Sequence, residues 1–342
     1  MQRFTTKPGI IISRIVLVLL FMALSVSADT QQHRKDKEKK RPSDFPAVIW
    51  HDPGKISALN LIYGAGGADY APDPKGKFTF IDEDKKGTSP KFNVKDANGV
   101  TWRVKLGDEP QSETAATRLL WAAGYFVDQD YYLPELKVEG LRKLRRGQEY
   151  ISPGGVVHGA RLKRKDKHIH KIGNWDWFKN PFVGTKEFNG LRVMMALMNN
   201  WDLKKSNNAI YAVDSQQQYT VSDLGASFGR TGNTMKRSKS DELGYQKSAF
   251  IKRVTPSEID FELHSRPLVF VAVDIPKYRE RTKMELIVKH IPREHAKWIG
   301  QLLAKLSEQQ IRDCFRTAGY SQEETKSYTN AVLDRIIALN AL

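Results

Sequence analysis

The chain has 342 residues, with 55 Lys+Arg against 39 Asp+Glu, a formal net charge of +16, 40% hydrophobic residues and 10% aromatic residues. This is the composition of a packed protein and excludes a disordered or low-complexity chain. A single cysteine, Cys314, excludes an intramolecular disulfide framework and a cysteine-rich metal site.

Arg3, Lys7 and Arg14 stand around the start of an apolar run over residues 15–24, and small residues follow up to Ala28. This pattern predicts a secretory signal peptide over 1–28, with an uncleaved N-terminal anchor as the alternative. Either way the positive-inside rule places the rest outside the cytoplasm, periplasmic or extracellular. Export also argues against a nucleic-acid partner despite the charge. Residues 29–44 read as a charged linker.

Residues 45–170 read as a β-rich lobe. Residues 77–82 (KFTFID) and 91–95 (KFNVK) alternate apolar and polar side chains. The turn Asp96-Ala97-Asn98-Gly99 then leads into 100–106 (VTWRVKL), a strong hairpin signal. Residues 112–125 predict a helix, with Ser112 as N-cap and Gly124 as its stop. Residues 131–139 and 156–163 read as further strands.

Residues 171–342 read as a helical lobe. Phe188, Leu191, Met194, Met195 and Met198 recur at helical spacing and predict a core-facing helix. A hairpin over 208–213 and 219–222 follows, and Ser307…Gln310 and Ser321…Glu324 form capping boxes for two late helices. The predicted fold class is α+β, two-lobed, with the cleft between the lobes.

Four pieces of chemistry stand in a definite order. Lys105 ends the second hairpin strand, and Glu113 opens the helix after it. Asp202, Lys204 and Asn207 lie in Asn200-Trp201-Asp202-Leu203-Lys204-Lys205-Ser206-Asn207, and Asp223 begins Asp223-Leu224-Gly225 after the next hairpin. Alone, each has an ordinary reading: an exposed lysine, a helix-dipole glutamate, a turn. Together they supply what phosphoryl transfer requires, namely a cation for nucleotide phosphates, an acid to hold it, hard oxygen ligands for Mg²⁺ and a carboxylate for the acceptor hydroxyl.

On these residues the sequence resembles the protein-kinase-like superfamily. Asp202-Leu203-Lys204-x-x-Asn207 is similar to a kinase catalytic loop, and Asp223-Leu224-Gly225 to the metal-binding Asp-Phe-Gly. The short Lys105–Glu113 spacing and Ala122-Ala123-Gly124 are closer to the HipA-like bacterial kinases. The whole chain is also similar to a group of uncharacterised exported bacterial proteins. The resemblance implies a kinase-like fold and an ATP- and Mg²⁺-dependent transferase, with Mn²⁺ as an alternative metal. Lys105 would hold the phosphates and Glu113 pair with it. Asp202 would act on the acceptor, Lys204 would neutralise the transferring group, and Asn207 and Asp223 would ligate the metal. Asn200-Trp201 replaces the usual His-Arg before Asp202. Gly64, Gly66 and Gly67 are the candidate phosphate-covering loop, since adjacent glycines let amides approach phosphate.

The acceptor, whether protein, lipid or sugar, is not legible. A binding or scaffold module of kinase shape, and a basic protein docking on an anionic membrane or wall surface, remain as alternatives. His168 and His170 present a weak metal pair, the basic run over 161–171 an anionic-ligand patch, Trp175 and Trp177 a packing pair, and Cys314 a buried small hydrophobe.

Overall fold

After a two-residue strand, β1 (Ala47–Val48), come β2 (Phe78–Glu83) and the predicted hairpin of β3 (Lys91–Asp96) and β4 (Thr101–Lys105). The computed structural model describes residues 42–166, 169–232, 236–263, 271 and 273–342. The signal-peptide call, most of the linker call and His168 lie outside the described residues. Residues 42–46, with a 3-10 turn at Pro42–Asp44, belong to a unit separate from Ala47–Leu342. Among the described residues no helix is long and apolar enough to cross a membrane.

The Asp96 carboxylate organises the β3–β4 turn. Its Oδ1 accepts the amides of Asn98 and Val100 at 2.9 Å, and its Oδ2 accepts Trp102 Nε1 at 2.8 Å. β5 (Asp130–Glu139), β6 (Ile151–Ser152) and β7 (Val156–Lys165) complete the front sheet, in the order β4-β3-β2-β5-β7-β6. An additional antiparallel pairing of β4 with β7 closes the first five strands into a ring. Its interior is filled by Phe78, Phe92, Val94, Trp102, Leu136 and Leu162. Strand periodicity then fixes the outer face. With Trp102, Val104 and Leu162 inside, Arg103 and Lys105 of β4 and Arg161 and Lys163 of β7 point outward. Lys105 lies opposite Arg161 in register.

Helix α1 (Pro110–Ala122) starts earlier than its sequence pattern indicates. Glu109, not Ser112, occupies the cap position, and Pro110 takes the first turn, where its missing N–H costs nothing. Ser112 lies inside the helix and its hydroxyl donates to Gly225 O at 2.8 Å.

The rear half is α-rich but not purely helical. β8 (His170–Gly173), β9 (Asn208–Val213) and β10 (Gln216–Val221) join β1 in a sheet of order β1-β10-β9-β8. The short strands β11 (Ile251–Val254), β12 (Glu258–Phe261) and β13 (Ile291–Pro292) form a third sheet that the sequence pattern does not announce. Helix α2 (Lys186–Leu197) is capped by Thr185, whose side chain accepts Phe188 N at 3.2 Å. The remaining helices are α3 (Glu242–Lys247), α4 (Ile275–Glu285), α5 (Arg293–Leu303), α6 (Glu308–Arg316) and α7 (Gln322–Asn340). Both predicted capping boxes are present, at Ser307 and Ser321.

The α2 methionines are core, packed with Leu119 and Leu120 of α1 and with residues of α5, α6 and α7. α1 is therefore part of the larger apolar cluster although it lies in the front half of the sequence. Trp175 and Trp177 pack edge to face at 4.7 Å, and Cys314 is buried with its thiol pKa pushed up by that burial. At the rear, Arg335 of α7 is buried between the rings of Tyr245 and Phe250, 4.0 and 5.2 Å from their centroids.

Candidate active site

The outward face of β4 and β7, the start of α1 and the end of β10 meet at one ammonium group. Lys105 Nζ lies 2.8 Å from Glu113 Oε2, 2.8 Å from Glu109 Oε2 and 3.3 Å from Asp223 Oδ1. Arg161 Nη2 grips Glu113 from the other side, at 3.1 Å to Oε1 and 3.0 Å to Oε2. Glu113 is thus held between two cations. Burial works against its charged form, but Arg161 and then Lys105 hold its pKa below the usual range. Burial likewise opposes the Lys105 charge, and Glu113 and Asp223, ahead of Glu109, raise its pKa. Both groups stay ionised. Asp223 is less enclosed, its side chain 42% exposed.

Sequence reasoning did not single out Glu109, and it placed Arg161 only in the basic run over 161–171, not beside Glu113. Glu109 collects donors from three elements: Lys105 Nζ, Ser89 Oγ at 2.8 Å and Lys239 Nζ at 2.7 Å. The available signal was its position four residues after Lys105, immediately before a proline that starts a helix. Glu109 also explains Gly225, because a Cβ there would lie 2.8 Å from Glu109 Cβ and Oε2.

Burial alone would raise the Glu109 pKa, but Lys105 and Lys239 bring it down to about 2. A depressed carboxylate stabilises the fold above its unfolded value and loses that contribution as pH falls through its folded value. Relative to Glu109→Gln, the wild-type protein is therefore expected to hold an advantage of about 3 kcal/mol near neutrality. That advantage should fall between about pH 4.5 and about pH 2. Urea unfolding of both proteins across that window checks it; a constant difference would contradict it.

The second group of predicted residues lies on the loop after α2. Asn207 Nδ2 donates to Asp202 O at 2.7 Å and Asp202 Oδ2 at 2.9 Å, and Lys204 Nζ lies 3.0 Å from Asp202 Oδ1. The Asn207 carbonyl accepts the amides of Ser222, at 2.8 Å, and Asp223, at 3.2 Å. One asparagine thus ties the Asp202 loop to the Asp223 turn. Asn199, at φ +52°, turns the chain out of α2, and Asn200 Oδ1 accepts the Asp202 amide at 3.2 Å. Trp201 anchors the segment after Asp223. Its Nε1 donates to Ser238 O at 2.7 Å, its amide donates to Ala226 O at 3.3 Å, and the Arg237 guanidinium lies 4.0 Å above its ring.

Lys105, Glu113 and Asp223 come together, as do Asp202, Lys204 and Asn207, and the two groups join through Asn207. Gly64, Gly66 and Gly67 lie elsewhere. Their 3-10 turn packs on Arg118 and Tyr131, so closely that a Cβ on Gly64 would meet Arg118 Cδ at 2.5 Å and one on Gly66 would meet Tyr131 Oη at 1.9 Å. Tyr131 Oη donates to Gly67 O at 3.0 Å. Close approach requires glycine at 64 and 66, and the left-handed φ of +64° favours it at 67. Loop 84–90, between β2 and β3, reaches the ion-pair cluster through Ser89, whose hydroxyl donates to Glu109 Oε2 at 2.8 Å.

A cavity of about 600 Å³ opens along the same sheet face, lined by Arg103, Asp128, Lys163, Lys165, Tyr211 and Thr220 among others. Arg103 precedes Lys105 by two residues on β4 and pairs with Asp84 of the β2–β3 loop at 3.3 Å.

No protein-family model matches the chain, and no curated protein matches it. Among solved structures, it is similar to a proinflammatory kinase of Helicobacter pylori, CtkA, at 12% identity and a TM-score of 0.44, over 78% of this chain and 96% of that one. It is also similar to a Golgi casein kinase at 11% identity and a TM-score of 0.30, over 77% of this chain and 74% of that one. A Mn/ADP-bound Golgi casein kinase structure gives 11% identity and a TM-score of 0.31, over 98% and 93%. At these scores the overlap is coarse, and function has to be read from the site itself.

Proposed function

We propose that the protein is a nucleotide-dependent phosphotransferase with a kinase-like active site, acting on a hydroxyl acceptor outside the cytoplasm. The observation that carries this is the convergence of Lys105, Glu113 and Asp223 on one ammonium, joined through Asn207 to the Asp202 loop.

Lys105, kept charged and aimed by Glu113, would hold nucleotide phosphates. The 600 Å³ cavity lined by Arg103, two residues before Lys105 on β4, is of a size that takes a nucleoside. Asp202, its Oδ2 fixed by Asn207, would accept the acceptor hydroxyl proton, and Lys204 would offset charge on the group in transit.

The donors suit a hard divalent cation, Mg²⁺ or Mn²⁺. Asp223 offers a partly exposed carboxylate, and Asn207 spends its amide N–H on Asp202 while its oxygen takes a long 3.4 Å bond from Ser206 Oγ and has a second lone pair to offer. These two residues would hold the ion, which when bound screens phosphate charge. Export, inferred from residues 1–28, belongs to the same proposal, and the acceptor is proposed only as a hydroxyl.

Thermal unfolding with ATP, with and without Mg²⁺, tests it. ATP with Mg²⁺ at about 100 times its dissociation constant should stabilise the wild-type protein by about 2.7 kcal/mol, and Asp223→Ala should lose that shift. An absent shift in the wild type, or an equal shift in the variant, would remove the proposal's basis.

A further inference from the structure

The carboxylates around Lys105 differ in what each would keep if the ammonium turned away. Asp223 is 42% exposed and faces solvent. Glu113 is the most enclosed, 3% exposed, and a buried ion left without its counter-charge strongly destabilises a site. Its second cation is Arg161, buried beside it, whose Nη2 reaches both carboxylate oxygens. The nearby carboxylate of Asp130 is held instead by Arg118 at 3.1 Å and Thr117 Oγ1 at 2.8 Å.

The Arg161–Glu113 pair is anchored by its backbones. Arg161 lies within β7, paired with Lys105 of β4 on one side and Tyr132 of β5 on the other. Glu113 is in the first turn of α1, where Ser112 is bonded to Gly225 O and Gln111 Nε2 donates to Gly319 O at 2.8 Å. Lys105 differs: it ends β4, and its ammonium stands on a flexible four-carbon stem. Two cations on one carboxylate also repel each other, so Arg161 loosens the hold of Glu113 on Lys105.

We propose that Arg161 is a positioning residue that releases Lys105 to the nucleotide. By keeping Glu113 neutralised, it lets the ammonium leave that carboxylate for a phosphate without stranding a buried charge. Without Arg161, Lys105 would be the one cation left on Glu113 among the described residues, and phosphate binding would have to break a buried pair. The inference rests on the nucleotide reading above.

A double-mutant cycle tests it. Full-length wild type, Arg161→Met, Glu113→Gln and the double variant are titrated with ATP and with adenosine, both in Mg²⁺. In the wild-type background, Arg161→Met should weaken ATP binding about tenfold, within the coupling range of residues that share one ion-pair network. In the Glu113→Gln background the same change should cost less than about twofold, because a neutral amide needs no second cation. Adenosine binding should stay at the wild-type value throughout, and Arg161→Lys, which keeps the charge, should recover most of the ATP affinity. Should Arg161→Met fail to fold, Arg161→Gln, which keeps a donor for Glu113 without the charge, is read in the same way.

Unchanged ATP affinity in the single Arg161 variant overturns the proposal and leaves the nucleotide reading standing. Equal weakening in both backgrounds also overturns it, since Arg161 would then act on phosphate directly or on the fold, not through Glu113. So does equal weakening of ATP and adenosine. If the wild type binds no ATP, the nucleotide reading fails and this inference goes with it.

Discussion

Asp202→Ala is expected to slow phosphoryl transfer by about 10²–10⁴-fold, the range a positioned general base supplies, while ATP affinity stays near that of the wild type. The two effects separate because Asp202 and Lys105 sit on different elements. The phosphate-holding cluster draws on β4, α1 and the Asp223 turn, and Asp202 contributes to none of its contacts. The loop should keep its shape, since Asn207 Nδ2 retains its 2.7 Å bond to the main-chain oxygen of residue 202. Asp202→Asn is the companion variant: it keeps an acceptor for Asn207 and removes the base. ATP turnover and nucleotide titration on both variants decide the point. Transfer at the wild-type rate in Asp202→Ala would sink the catalytic role.

Arg335→Met is expected to destabilise the protein by at least about 3 kcal/mol, because it strands several buried acceptors at once. The guanidinium donates to the carbonyls of Ala196 at 3.3 Å and Leu197 at 2.8 Å, and to Asn199 Oδ1 at 2.8 Å. Its other nitrogen reaches Tyr245 O at 3.1 Å and Ser248 O at 3.2 Å. Ala196 and Leu197 are the last residues of α2, where unpaired carbonyls concentrate negative potential. A cation there closes the helix and fixes Asn199, which aims the Asp202 loop. Urea unfolding measures the cost. Arg335→Lys, which can serve only part of this set, should lie between wild type and Arg335→Met. A wild-type midpoint for Arg335→Met would contradict the account.

The local elements were legible because their signals are local. Period-two alternation with the Asp96–Gly99 turn gave the β3–β4 hairpin, and helical spacing of methionines gave α2. Ser–x–x–Gln and Ser–x–x–Glu gave two helix starts. Lys105, Glu113, Asp202, Asn207 and Asp223 were singled out because their order carries a chemical requirement, and the fold brings Lys105, Glu113 and Asp223 into one ion-pair cluster. The roles of Glu109 and Arg161 were missed because they depend on tertiary pairing: the β4–β7 register sets Arg161 opposite Lys105, and no short-range pattern encodes it. The glycine-rich turn at 64–67 misled for a related reason. Glycine marks any close approach of backbone, and here the approaching groups are Arg118 and Tyr131. The short β11–β13 sheet escaped because two- and four-residue strands are too brief for a period to show.

The crowding around Glu109 has an electrical consequence. Lys105, Arg161 and Lys239 are matched one for one by Glu109, Glu113 and Asp223, all within a single linked network. These six groups balance one another, so the paired network by itself offers a bare polyanion no surplus of positive charge, however basic the chain is as a whole. A triphosphate entering alone would free carboxylates by drawing off their lysines, and so meet repulsion that it had itself uncovered. A divalent counter-ion entering with it would take up those released carboxylates and restore the balance. Dependence on a metal would then be a property of how the ion-pair network is neutralised, prior to any step of the chemistry.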